Sequence, residues 1–193
     1  MIETRLIIEA LVAFLIGSIP FAVLAMMGSG IDIRKVGSGN PGFNNVLRVN
    51  KPRALLTLAG DMLKGYAPAA IFYQPGVDPY FHGWLLGFAA VFGHCYSPFL
   101  KFNGGKGIAT SAGVMLRLYP LLAAAGLAFF VLVRVTGSRF RVPESGAIAS
   151  VATWLFFALL TYLYVDSFAV RMALLMSVFL TWRHKSNIRN LFD

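Results

Sequence analysis

Residues 5–27 read RLIIEALVAFLIGSIPFAVLAMM, an apolar run whose two charged side chains, Arg5 and Glu9, lie at its N-terminal edge. A run of about 20 apolar residues is what a helix needs to cross the hydrocarbon core of a bilayer. An open structure in that core must satisfy every backbone polar group internally, which a helix does. Working outward, further apolar stretches lie at about 54–73, 81–100, 107–119, 121–135, 146–164 and 167–182. Seven crossings are therefore expected, in an all-α polytopic membrane protein. The fourth, fifth and seventh are short for upright spans, so they are expected to extend into their flanks, tilt little, or sit where the bilayer thins.

Composition agrees. Of 193 residues 58% are hydrophobic and only 13% charged, with a mean hydropathy of +0.70, far from the balance of a soluble domain. No Ser/Pro-rich or charged linker and no internal repeat divides the chain, which reads as a single integral membrane domain over residues 1–193. The first segment lacks a basic n-region and a small-x-small cleavage site, so it reads as a retained first helix rather than a secretory signal. The single cysteine, Cys95, has apolar neighbours and reads as a small buried hydrophobe.

The net charge of +9 follows from topology rather than from nucleic-acid binding, because the basic residues gather where apolar segments end. With the N-terminus outside, Arg34, Lys35, Arg48, Lys51, Arg53, Lys101, Lys106, Arg134, Arg139, Arg141, Arg183, Lys185 and Arg189 fall on the cytoplasmic side. Arg5, Arg117 and Arg171 fall outside, and Lys64 lies within a span. That asymmetry follows the positive-inside rule. It places the C-terminus in the cytoplasm and brings residues 37–48, 101–107 and 183–193 to one membrane face.

Residues 37–48 read GSGNPGFNNVLR, richer in glycine and amides than a connector requires. Gly37, Gly39 and Gly42 allow backbone N–H groups to converge on an anion. Ser38, Asn40, Asn44 and Asn45 offer hydrogen bonds to hydroxyls or oxyanions, and Arg48 can grip a phosphate or carboxylate. In residues 93–111, GHCYSPFLKFNGGKGIATS, the imidazole of His94 precedes a glycine cluster, Gly104 and Gly105, that opens through Lys106 into the next apolar segment. A phosphate at such a helix start would meet free N–H groups, the positive end of the dipole and the lysine.

Two pattern matches carry no weight. The GxGxxG spacing at 37–42 follows a membrane span rather than a βαβ strand, and Gly105-Lys106-Gly107 lacks both the Ser/Thr and the preceding strand of a nucleotide-binding loop. Asp61 and Lys64, three apart within the second span, read equally as a functional charge pair or as a mutually neutralising one. At the C-terminal end, RHKSNIR at 183–189 places His184 and Asn187 three apart. With eight Asp and Glu residues, no HExxH and no Cys/His ligand set, no metal site is expected. No His-x4-Asp dyad follows any histidine, so the chemistry is expected to proceed without a strong carboxylate-oriented base.

Taken together, GSGNPGFNNVLR (37–48), DMLKG (61–65), GHCYSPFLKFNGGKGIATSAGV (93–114) and RHKSNI (183–188) resemble the motifs of the bacterial acyl-phosphate-dependent glycerol-3-phosphate acyltransferase family, in order and over nearly the whole chain. Phe43-Asn44, Asn103 and Asn190 depart from that pattern. The resemblance implies a multi-pass enzyme of the bacterial inner membrane, with its site on the cytoplasmic face. It implies transfer of an acyl chain from acyl phosphate to glycerol 3-phosphate, giving lysophosphatidic acid and phosphate, with membrane lipid around it and no obligate protein partner. It assigns Ser38, His94 and Lys106 to catalysis, and Gly37, Gly39, Asn40, Asn45, Arg48, Lys64, Gly104, Gly105, His184 and Asn187 to substrate binding, without metal or cofactor.

An acyl phosphate is a mixed anhydride with a good leaving group, so positioning and charge stabilisation suffice and direct attack without an acyl-enzyme is expected. His94 could accept the hydroxyl proton, or a substrate phosphate could do so while His94 orients. Ser38, with no base partner in view, reads as a substrate hydrogen-bonder rather than a nucleophile. The alternative class is a transporter or channel for a phosphorylated small anion. Against it, the polar residues gather at one face, and no symmetric broken-helix pair marks a midplane.

Overall fold

The computed structural model describes residues 2–192, with side chains from residue 3 onward. The chain packs as two compact units, Met1–Leu118 and Tyr119–Asp193.

The first unit contains α1 (Ile2–Ser18), α2 (Phe21–Met26), α3 (Phe43–Val49), α4 (Lys51–Phe72), α5 (Phe81–Cys95), a 3-10 turn at Pro98–Leu100, and α6 (Ile108–Leu118). The first apolar stretch is thus two helices, not one. Pro20 has no N–H to donate and its ring crowds the carbonyl four residues back, so the helix stops at Ser18 and restarts at Phe21. The carbonyls exposed by that break find side-chain donors. Ser97 Oγ donates to Ser18 O at 2.6 Å and Lys64 Nζ donates to Ile19 O at 2.7 Å.

α4 begins with the Asn50 side chain accepting from Arg53 N, an N-cap, and with a proline in its first turn. It is the axis of the unit, packing against α1, α2, α3, α5 and α6. Two helix pairs approach almost backbone to backbone. A Cβ on Gly65 would strike the Thr110 carbonyl, one on Gly113 the Met62 carbonyl, and one on Gly17 or Gly93 the backbone of Ala90 or Phe14. Small residues at such crossings are how membrane helices gain dispersion contact without a hydrophobic driving force between them.

At the far end of the unit, fully buried His82 lies 2.8 Å from Glu9 and 3.7 Å from Asp78, and Arg5 pairs with both carboxylates. This cluster ties α1, the 73–80 turn and α5 together. At the near end, Ala22, Met26, Ile33, Val46 and Ala54 form a small core beneath the 28–50 segment.

The second unit contains α7 (Pro120–Arg139), α8 (Ser145–Tyr164), α9 (Ser167–Arg183) and the short α10 (Lys185–Arg189), with α7 packed on α8 and α8 on α9. Phe129 and Phe156 stack with ring centroids 4.4 Å apart, and Asp166 caps α9 by accepting from Ala169 N. α7 runs past the expected 121–135 in both directions, and its outward face is apolar and exposed, suited to lipid.

Among the described residues, three stretches are long and apolar enough to cross a membrane: Glu3–Met26, Pro120–Arg139 and Ser145–Tyr164. α6, with eleven residues, is about 16 Å long, roughly half the hydrocarbon thickness. All described secondary structure is helical.

Candidate active site

Residues 28–42 run from α2 to α3 as an irregular segment in which the Asn45 side chain ties three points together. Asn45, 1% exposed, lies in the first turn of α3. Its Oδ1 accepts from Ser38 N at 3.0 Å, and its Nδ2 donates to Ile33 O and Val36 O, each at 3.0 Å. One amide therefore stitches three points of the segment. Gly37 adopts φ +58°, and a Cβ there would strike Asn45 Oδ1, so the backbone must be glycine to reach the amide. Asn45 was expected to bind substrate. Its amide is instead committed to shaping the loop that carries Ser38.

Ser38 and Arg48 are exposed, and Asn40 is half-buried. Asp32 and Arg34 form a doubly hydrogen-bonded surface pair in the same segment. The Arg34 guanidinium and its backbone N–H hold the Asp32 carboxyl down to about 2.

The second part of the site is built on the end of α5. Gly104 N donates to Cys95 O and Gly105 N to His94 O, both at 3.1 Å, so the chain after the 3-10 turn folds back onto the last turn of α5. Those two N–H groups are therefore directed at protein carbonyls, not at an incoming phosphate. The reason for glycine here is proximity: a Cβ on Gly104 would meet the His94 carbonyl, and one on Gly105 would meet His94 Nε2. The turn lies directly against the imidazole edge. Half-buried Lys106 follows, and α6 starts at Ile108, where first-turn N–H groups have no acceptor within the helix.

Behind His94 stands a charge pair. His94 Nδ1 is 3.5 Å from Asp61 Oδ1, and Asp61 Oδ1 is 2.8 Å from Lys64 Nζ. All three side chains are at least 95% shielded. The expectation of a site without a carboxylate-oriented histidine is corrected here: the carboxylate comes from α4 and the imidazole from α5, 33 positions apart, so no local spacing shows it. Lys64, expected among the substrate-binding groups, has its ammonium turned inward, to Asp61, the Ile19 carbonyl and the Phe21 ring at 5.8 Å.

In the second unit, His184 is buried at the end of α9 with Nδ1 2.8 Å from Leu180 O. A carbonyl only accepts, so Nδ1 carries the hydrogen and Nε2 of the neutral ring the lone pair. Asn187 Nδ2 donates to Glu144 Oε2 at 2.6 Å and Asn190 Nδ2 to Glu144 Oε1 at 3.0 Å. Glu144, in a left-handed conformation just before α8, is the anchor of the C-terminal segment. Sequence reading passed over it. Its one signal was a solitary acid in a basic loop. Among the described residues, no three His, Cys, Asp or Glu side chains gather to hold a metal.

α3, which follows the 28–42 segment, and α6, which follows the His94–Gly105 contact and Lys106, both pack on α4. These elements offer an arginine in the last turn of α3, a hydroxyl on the segment before it, a buried imidazole backed by a carboxylate, and a lysine just before a helix start. Such groups have the chemistry to bind anions and to exchange a proton.

The family model described as glycerol-3-phosphate acyltransferase matches residues 7–193. The glycerol-3-phosphate acyltransferase of Pseudomonas syringae pv. tomato is 39% identical over 93% of this chain and 90% of its own length. That of Methylobacillus flagellatus is 40% identical over 94% and 90%. Among solved structures, the glycerol 3-phosphate form of PlsY, an integral membrane glycerol 3-phosphate acyltransferase, superposes with a TM-score of 0.84 at 30% identity, covering 97% of this chain and 92% of that one. Its lysophosphatidic acid form superposes with a TM-score of 0.83 at 29% identity, covering 97% and 91%. The chain belongs to the glycerol-3-phosphate acyltransferase family and is an integral membrane protein.

Proposed function

We propose that this acyltransferase uses acyl phosphate as donor and glycerol 3-phosphate as acceptor, and transfers the acyl chain directly. The hydroxyl oxygen of the acceptor attacks the acyl carbonyl carbon and the bond from that carbon to the phosphate oxygen breaks. Phosphate leaves with the electron pair, and the hydroxyl proton passes to a base. The observation that carries the reading is His94, its ring held between the Asp61 carboxylate and the Gly104–Gly105 turn that leads into Lys106. The carboxylate favours His94 over a substrate phosphate as the base, since it stabilises the imidazolium that proton transfer creates. Lys106, the first turn of α6 and Arg48 supply positive charge for two phosphate groups. Ser38, exposed on the segment that Asn45 holds, serves as a hydrogen-bond partner of the substrate. His184 and Asn187 are assigned to substrate binding on the resemblance of RHKSNI at 183–188 to the family's motif.

The enzyme resides in the bacterial inner membrane with seven crossings, the N-terminus outside, and the C-terminus and site on the cytoplasmic face. The distribution of Lys and Arg supports that orientation. The test is purified protein in detergent, offered glycerol 3-phosphate with either acyl phosphate or an acyl thioester. Lysophosphatidic acid formed from acyl phosphate alone is the expected result. Product from the thioester alone would sink the donor assignment, and anion uptake into vesicles without any product would favour the transporter.

A further inference from the structure

α10, which carries Asn187, has five residues and none of them is buried. A helix that short is marginal by itself, and without a buried face it has no core packing to hold it. A carboxylate ties it down. Asn187 Nδ2 donates to Glu144 Oε2 at 2.6 Å and Asn190 Nδ2 to Glu144 Oε1 at 3.0 Å, from positions three apart and so from one face of the segment. Glu144 is itself well anchored. Its carbonyl accepts from Ala147 N at 2.8 Å and Ile148 N at 3.1 Å, the first bonds of α8, while Val142 N donates to Gly137 O and Arg134 Nη1 to Ser145 Oγ, which tie α7 to the loop and to the start of α8. The Glu144 backbone is left-handed, with φ 51° and ψ 24°. Glycine takes that conformation at ease, whereas a Cβ is crowded against the following carbonyl. A glutamate kept there against that strain is kept for its side chain.

We propose that Glu144 is a positioning residue of the acyltransferase: its carboxylate holds Asn187, and with it the substrate-binding C-terminal segment, at the start of α8. This rests on Asn187 binding substrate, as assigned above. A carboxylate accepts and does not donate, so the nitrogen of the Asn187 amide faces Glu144, and the orientation of that amide is set. A short bond to a carboxylate is among the stronger hydrogen bonds a side chain makes, enough to hold an amide in one place. Asn190, one of the departures from the family's motif, takes the second oxygen, so the segment is held at two points rather than one. Glu144 therefore acts on substrate through Asn187, as the partner behind a ligating side chain does.

The experiment is steady-state kinetics in detergent on wild type, Asn187→Ala, Glu144→Gly and the double variant, with kcat and the KM for glycerol 3-phosphate and for acyl phosphate separated. Thermal unfolding and hydrogen exchange over residues 184–190 are measured beside it. Glu144→Gly removes the carboxylate and relieves the left-handed backbone together, so its unfolding midpoint should stay close to wild type. It should nevertheless raise, by roughly tenfold, the same KM that Asn187→Ala raises, the effect of losing one hydrogen bond to a charged group, and speed exchange at 184–190. Added to Asn187→Ala it should cost no more than about twofold further, because its route to the substrate is already cut. A glutamate that only shapes the loop would leave both KM values at wild type, since glycine shapes that loop at least as well. That result in Glu144→Gly beside an impaired Asn187→Ala overturns the proposal alone, as does an undiminished loss in the Asn187→Ala background. Asn187→Ala with wild-type constants would remove Asn187 from the site, and the proposal with it. Glu144→Gln, which keeps the length and one acceptor, should fall between wild type and glycine. It carries the comparison if Glu144→Gly does not fold, and wild-type constants in it then overturn the proposal. Wild type that makes no lysophosphatidic acid from acyl phosphate would sink the donor assignment instead. Exchange then decides, and unchanged protection of 184–190 in Glu144→Gly overturns the anchor.

Discussion

At the residue scale, Lys106 joins charge to a helix start. It follows the turn held against His94 and precedes α6 by two residues, so its ammonium, the helix dipole and the first-turn N–H groups are proposed to act on the same phosphate. Lys106→Ala should cost about 3 kcal/mol or more of transition-state stabilisation, on the order of a hundredfold in kcat/KM, if the lysine meets developing charge. Lys106→Arg should rescue poorly, since a planar guanidinium places its charge differently from a compact ammonium. Arg141→Ala, exposed in the loop between α7 and α8, should cost far less. Kinetics of the three at equal folded concentration are the check, and near-normal kcat/KM in Lys106→Ala removes the lysine from the site. The sequence made Asn45 visible as a residue, but not the bonds its amide makes. Its partners, Ile33 O and Val36 O, are carbonyls that any residue would present, so no side-chain pattern reveals them. Asp61 likewise meets His94 only because α4 packs on α5.

At the element scale, hydropathy located the helices because it measures the chemistry they share, burial in an apolar solvent. α4, α5, α8 and α9 lie close to the expected segments. Hydropathy is blind to the backbone, so it ran α1 and α2 together across Pro20, a break that costs almost nothing in apolarity yet frees the carbonyls that Ser97 and Lys64 bind. Nor does it register closeness. α4 and α6 touch at Gly65 and Gly113, where a Cβ would fall on a carbonyl oxygen of the other helix. Gly113→Val must push α6 off α4, since the obstacle is backbone and cannot rotate away. A loss of roughly 1–3 kcal/mol or more is expected, as for other overpacked contacts. Gly126→Ala on α7, whose Cβ would make ordinary contact with Thr153 at 3.7 Å, should be tolerated. Thermal unfolding in detergent compares the two. Equal midpoints would mean that α4 and α6 lie further apart than described.

At the scale of the whole molecule, the crossing count turns on α6. At about 16 Å it is too short to span alone, but Gly104, Gly105 and Gly107 ahead of it are buried, so irregular chain and helix together can traverse the bilayer with protein around them. Charge gives an independent argument. If α6 crosses, thirteen Lys and Arg residues lie inside against three outside. If it does not, every later segment inverts and the division becomes nine against seven, leaving no bias to set an orientation. The chain is suited to the test because Cys95 is fully buried and will not compete for label. Single cysteines at Val77, 77% exposed, and Tyr164, 73% exposed, should react with an impermeant maleimide on sealed cells. Cysteines at Asn40, Asn103 and Phe192 should react only after permeabilisation. Phe192 labelled from outside together with protected Tyr164 would show that α6 turns back, leaving six crossings. Asn40 and Asn103 on opposite faces would instead break the shared surface on which loop 37–48 and the Gly104–Lys106 turn are proposed to act together.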